Sequence, residues 1–258
     1  MRHVVSLTSL FAFAGFAAVA AYVQTLTGFA FGLVMMGAIA LVGLLPLPDA
    51  AAMVGMLTLV NATQMLIHGG WREIARRELR LILVASLPAL LVGYALLEWL
   101  ADTRADLLKI GLGVVIMLSS LQLAIKPAGL AKRSSDASFV GFGILSGLMS
   151  GLFATGGPPL VYHLFRQPFP HERIRETLVA AFGAAQVVRI AMVVASGNLP
   201  TMSPFALILA VPAVMLVTYA ARRWPPSLSQ GTMRKIVFVL LFLSGLSLAL
   251  PAAMHLAV

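Results

Sequence analysis

Residues 143–162 read GILSGLMSGLFATGGPPLVY, a run apolar enough to enter a bilayer yet broken in its middle by Gly156, Gly157, Pro158 and Pro159. Proline cannot continue a helix and removes a backbone donor, and glycine admits backbone conformations that other residues avoid. Unpaired backbone groups at membrane depth are tolerated only where protein buries them or where they line a wet cavity. The stretch is therefore expected to be a broken or re-entrant segment beside a binding site. A weaker copy, AYVQTLTGFAFGLVM, occupies residues 21–35. Interrupted apolar segments in corresponding positions of two halves are the best sequence pointer to a transporter site.

Hydrophobic residues make up 60% of the 258 and charged residues 10%, a balance foreign to soluble domains. Several apolar runs reach the roughly 20 residues that a helical crossing needs. The expected fold class is an all-α polytopic membrane protein with the lipid bilayer as its surroundings. The 18 Lys and Arg against 9 Asp and Glu do not point to nucleic acid, because the basic residues sit in short loops, as the positive-inside rule expects. No cysteine is present, so disulfides and thiol chemistry are excluded. No P-loop makes ATP the direct energy source, no cofactor is implied, and no metal-ligand cluster is visible. The N-terminal run starts like a signal peptide at Arg2 but continues to Leu45 without a cleavage site, so it is expected to be retained.

The chain divides into a first membrane repeat, 1–125, a polar linker, 126–137, and a second membrane repeat, 138–258. In the first, 4–45 is expected to hold one crossing plus a re-entrant piece around 24–32. Spans at 50–68, 81–99 and 107–125 follow, separated by a basic loop at 71–80 and an acidic turn at 101–106. In the second, the broken segment at 139–165 precedes a charged stretch at 166–176, spans at 177–196 and 204–221, a basic loop at 222–235 and a last span at 236–250. The halves repeat each other. Tyr94, Ala95 and Trp99 match Tyr219, Ala220 and Trp224, with Pro88-Ala89 and Pro212-Ala213 just upstream. Leu118, Ser119, Leu121, Leu123 and Ala124 match Leu243, Ser244, Leu246, Leu248 and Ala249 at one constant separation. Placing the basic loops inside puts each matched pair of loops on opposite faces, so the repeats are expected to be inverted about an axis in the membrane plane.

Arg189 is the only Lys or Arg in the interior of an expected span, Lys109 lying at the very start of its own. It lies eight residues before Gly197, about 12 Å from that helix end and so near the midplane. A charge there is costly unless paired or hydrated, and such residues usually line a substrate path. Gln186 shares its helix face. Asn61, with Gln64 one turn on, holds the equivalent place in the first repeat. Gln24, Thr25 and Thr27 fall in the first broken segment; Thr155, Gly156, Gly157, Tyr162 and His163 fall in or beside the second. Helix N-termini at such breaks offer free N–H groups and a positive dipole end to an anion. All nine carboxylates are expected in loops or at helix ends, which leaves the substrate itself to balance Arg189. The same absence argues against an Asp/Glu proton relay.

With these residues in view, 143–162 resembles the Gly-rich motif that opens each repeat of the TauE/SafE sulfite exporter family, and 24–32 resembles its first-repeat version. The chain departs from the usual pattern where Phe29 and Phe31 interrupt the first glycines and where Pro158-Pro159 follows the second. The resemblance runs along nearly the whole chain. It implies a permease of the bacterial inner membrane that moves a small sulfur-containing anion such as sulfite or an organosulfonate. The expected function is thus secondary transport of such an anion, bound near the midplane between the repeats, and not enzymatic. The alternatives are an intramembrane hydrolase, pairing Ser146 or Ser150 with His163, and a non-transporting membrane partner subunit.

Overall fold

The computed structural model describes residues 7–68, 71–124, 129–197, 199–200, 205–224 and 230–257. Among them the chain is helical, without strands. The first half holds α1 (Leu7–Thr27), α2 (Phe31–Val42), α3 (Leu47–His68), α4 (Arg76–Thr103) and α5 (Ala105–Ala124). The second holds α6 (Asp136–Phe153), α7 (Gly157–Phe165), α8 (His171–Ala195), α9 (Phe205–Arg223) and α10 (Gln230–Ala257). Six of these, α1, α3, α4, α6, α8 and α9, are long and apolar enough to cross a membrane.

Several boundaries differ from the sequence expectation. The basic loop at 71–80 is mostly helix, because α4 already starts at Arg76 after a short 3-10 turn at Trp71–Glu73. The acidic turn at 101–106 shrinks to Arg104, between α4 and α5. The charged stretch at 166–176 becomes the first turns of α8, and Glu176 is buried there rather than held in a loop. Charge alone does not end a helix; a span extends past the apolar run whenever its polar end stays hydrogen-bonded. The helix end expected at Gly69-Gly70 and the first part of the linker, 126–128, lie outside the described residues.

The helices pair across the halves. α4 packs on α6 and α1 on α9; α3 meets α8; α5 meets α10. Lesser contacts follow the same scheme, α4 on α8 and α3 on α9, α1 on α2 and α6 on α7. The tightest seam is α4–α6. A Cβ added at Gly147 would lie against the Ser86 carbonyl and 2.7 Å from the Ser86 Cα, and one at Gly151 would lie 2.6 Å from the Tyr94 nitrogen. The four-residue spacing of Gly143, Gly147 and Gly151 therefore serves backbone-close helix packing, the role small residues play in membrane interfaces.

The α6–α7 pair is a hairpin with both ends on one side. Leu130 N–H donates to the Arg166 carbonyl (2.7 Å), and Ser134 and Gln167 exchange two hydrogen bonds of 2.9 Å. Arg133 binds Glu78 at the start of α4 (2.6 Å), and Arg77 binds Asp136 at the start of α6 (2.8 Å). The Glu78 carboxylate beside it, partly offset by burial, raises the Arg133 guanidinium above its already high pKa. From that side α7 rises only about 13 Å, so the turn between α6 and α7 sits deep in the molecule.

Candidate functional site

Each half interrupts its first helix. α1 stops at Thr27, whose hydroxyl donates to the carbonyls of Val23 and Phe29 (both 2.8 Å), and the chain turns through Gly28 and Ala30, both with φ of +82°. α6 stops at Phe153, and Ala154 turns the chain with φ of +54°. That alanine accepts a left-handed conformation usually left to glycine and aims its carbonyl at Gln186. α2 and α7 restart beyond these turns. A Cβ at Gly32 would lie 2.9 Å from the Ala154 oxygen and 3.0 Å from the Thr155 Cβ, so the start of α2 rests on the α6–α7 turn.

A cavity of ≈ 20 Å³ lies where the two turns meet. Its walls are Gln24, Ala30, Phe31, Gly32 and Thr58 from the first half and Ala154, Thr155, Gly156, Gly157, Phe182 and Gln186 from the second. The first residues of α2 and α7 both border it. Helix N-termini leave N–H groups without helical partners, although Pro158 and Pro159 carry none, so α7 offers Gly157 alone ahead of its prolines. Gln24 Oε1 accepts the Phe31 N–H (3.1 Å), and Gln186 Nε2 donates to the Ala154 carbonyl (3.2 Å). A backbone N–H can only donate and a carbonyl can only accept, so both amide orientations are fixed. Gln24 Nε2, Thr58 Oγ1 and Gln186 Oε1 are buried without a hydrogen-bond partner.

Of the residues singled out in the sequence, Gln24, Thr155, Gly156, Gly157 and Gln186 come together here. Arg189 does not line the cavity. It is the largest fully buried side chain, 1% exposed, and its Nη1 donates to the carbonyls of Ser150 (2.8 Å) and Gly151 in the last turn of α6. Its guanidinium also lies 5.4 Å from the centre of the Tyr94 ring on α4. Asn61 donates to Thr218 on α9 (2.7 Å), and Gln64 donates to the Met215 carbonyl (2.9 Å). Thr27 serves the first turn. Tyr162 is partly exposed and accepts a bond from Arg166 (2.8 Å). His163 is wedged between Phe139 and Phe142, ring centres 4.5 and 4.4 Å away, with Nε2 3.3 Å from Ser138 Oγ. Of the two serines of the expected hydrolase dyad, Ser146 is engaged elsewhere: its Oγ donates to the Gly156 carbonyl (2.7 Å). Among the described residues no group of acidic, His or Cys side chains could hold a metal ion.

Thr58 was not anticipated. The available signal was its position: it precedes Asn61 by one helical step, as Gln186 precedes Arg189, so one face of α3 mirrors one face of α8. Phe182, an apolar wall, carried no signal in so hydrophobic a chain, and Phe31 stood out only as an interruption of the first glycines.

Comparisons with known proteins say what the chain as a whole is similar to. A family model described as sulfite exporter TauE/SafE matches residues 12–248. The chain is 38% identical over 235 residues to the probable sulfite/organosulfonate exporter TauE of Cupriavidus necator, covering 90% of each chain. It is 28% identical over 206 residues to the probable inner membrane transporter protein TsaS of Comamonas testosteroni, covering 75% of this chain and 81% of that one. No solved structure matches it.

Proposed function

The chain belongs to the TauE/SafE sulfite exporter family, a family of membrane transporters and not enzymes, and from that premise we propose that it carries a small sulfur oxyanion across the bacterial inner membrane by secondary transport, binding it in the cavity between α2 and α7. The observation that carries this reading is the convergence of two helix starts and the donors of Gln24 and Thr58 on one buried space. Positive dipole ends and unpaired donors favour an anion.

The two halves act as inverted repeats in this proposal. Exchanging α1–α5 for α6–α10 turns the main helix contacts into themselves, with α3–α8 and α5–α10 mapping onto themselves at the axis. The ends of the α6–α7 hairpin share the basic face with Arg77, Arg133 and Arg166, which the positive-inside rule places in the cytoplasm. The α1–α2 pair then enters from the opposite face, and the cavity lies between two tips that reach it from either side. Alternating access follows if the two hairpins part in turn. At ≈ 20 Å³ the cavity has room for about one or two waters, less than a sulfonate group, so the described conformation is a closed one.

Arg189 has a supporting part. Holding the α6 carbonyls fixes the turn that presents Ala154, Thr155 and Gly156, and its charge lies within about one helical turn of the cavity wall. Proteoliposomes test the proposal. Reconstituted protein should accumulate radiolabelled isethionate or sulfite, and Gln24→Leu together with Thr58→Val should reduce the rate at least tenfold while insertion persists. Empty-vesicle rates for every sulfur oxyanion tried would sink it.

A further inference from the structure

Building on the anion reading above, we infer that the cavity is made for an oxyanion that brings its own hydrogen-bond donor: a hydroxyl or ammonium group beside a sulfonate, or the protonated form of sulfite. Three buried side chains with unpartnered polar atoms line the space, Gln24 (1% exposed), Thr58 (4%) and Gln186 (2%). The free atom of Gln24 is the amide nitrogen, which only donates. The free atom of Thr58 is a hydroxyl, which does both. The free atom of Gln186 is the amide oxygen, which only accepts.

A ligand composed solely of acceptors, such as sulfate or fully ionised sulfite, satisfies the first and leaves Gln186 Oε1 unpaired beside its negative charge. Gln186 cannot escape by turning over. That would set its oxygen against the Ala154 carbonyl, which now takes its Nε2 proton (3.2 Å), and Ala154 is held by its left-handed turn at the end of α6. Nor can Gln24 supply the missing donor, since its own orientation is fixed by the Phe31 N–H. A ligand that carries an O–H or N–H for Gln186 and oxygens for Gln24 and Thr58 pairs all three free atoms at once. Phe31 and Phe182 in the same wall fit the methylenes that would join the two ends of an organosulfonate.

Matched pairs of ligands test this with the full-length purified protein by titration calorimetry. Isethionate and ethanesulfonate have the same charge and differ by one hydroxyl. Hydrogensulfite, at mildly acidic pH, and methanesulfinate form a second monoanionic pair that differs by replacing a hydroxyl with a methyl. A site built around a ligand donor rejects the analogue lacking it by large factors. Isethionate should bind at least tenfold tighter than ethanesulfonate if the ligand is an organosulfonate. Hydrogensulfite should bind at least tenfold tighter than methanesulfinate if it is the inorganic ion. Gln186→Met should bring the preferred pair's ratio close to one. Equal affinities within both pairs in the native protein overturn the inference while leaving anion transport standing, and so does a preference that survives Gln186→Met. If no member of either pair binds, the sulfur-oxyanion reading falls with it.

Discussion

Replacing Arg189 separates a substrate contact from a structural one. Its Nη1 holds two carbonyls in the last turn of α6, of which Ser150 also accepts the Ala154 N–H (3.1 Å). Hydrogen bonds to a charged group contribute about 1.5–3 kcal/mol each, whereas neutral side-chain bonds between membrane helices average about 0.6 kcal/mol. Arg189→Gln exchanges the first kind for at best one of the second. The expected destabilisation is therefore about 2–5 kcal/mol, and at roughly 2–4 °C per kcal/mol for a chain of this size the melting temperature in detergent should fall by at least about 4 °C. Arg189→Lys keeps the charge but loses the planar fork and should fall between the two. Affinity for a sulfonate, measured by calorimetry well below the melting range, should drop by less than about tenfold in Arg189→Gln, since the guanidinium does not line the cavity. A variant that melts like the parent yet loses more than a hundredfold in affinity would show that Arg189 leaves the α6 carbonyls to hold the anion, and the assignment argued here would be wrong.

Other consequences follow from the packing and charge placement. Gly151→Ala drives a methyl into the α4 backbone, 2.6 Å from the Tyr94 nitrogen, and should lower the melting temperature by several degrees; Gly141→Ala, with nothing within 4 Å of the new carbon, should leave it unchanged or raise it, and equal losses in both would refute the close-packing account of the α4–α6 seam. Because the chain has no cysteine, Ser135→Cys and Arg223→Cys should react with an impermeant maleimide only from the cytoplasm and Leu199→Cys only from outside; labelling of 199 and 223 from one face would remove the inverted arrangement. Transport should persist when sodium is replaced by choline, because the carbonyl end of α6, the kind of place where broken helices coordinate a coupling cation, is occupied by Arg189; a tenfold loss without sodium would contradict that.

The breaks were legible because glycine and proline state their backbone consequences in the sequence itself. Gly156, Gly157, Pro158 and Pro159 mark the start of α7, and Gly28 marks the turn after α1. Helix ends were less legible. Arg76, Arg77 and Arg80 look like loop residues, yet they belong to the polar first turns of α4, where long side chains reach the interface. Arg189 was conspicuous, but its partners were not: backbone carbonyls have no letter in a sequence, so a search for an opposing carboxylate could not find Ser150 and Gly151. Gly143, Gly147 and Gly151 drew attention as part of a broken segment, while their packing role needed the α4 backbone to become visible. Tyr162 and His163 were adjacent in sequence to the break but face away from it, since α7 turns them about its axis toward Arg166 and toward Phe139 and Phe142.

The two breaks create charge as well as space. Each interrupted helix ends in unpaired carbonyls and restarts in unpaired N–H groups, so a break yields one negative and one positive end. In the second half the negative end is neutralised internally by Arg189. In the first, Thr27 binds its own turn and the Arg175 side chain lies against Gly28, its Cγ only 2.7 Å from where a Cβ would stand. The same device recurs away from the cavity, where Arg222 donates to the Met65 and His68 carbonyls at the end of α3 (3.0 and 2.5 Å). The positive ends, α2 and α7, are the ones that border the cavity, and no described lysine or arginine lines it. In the proposed site, the arginine on the α6 carbonyls and the helix starts at the cavity together favour an anion over a cation. An unliganded cavity lined by neutral amides also costs less than one lined by a bare guanidinium, as the proposed carrier cycle requires of its empty step.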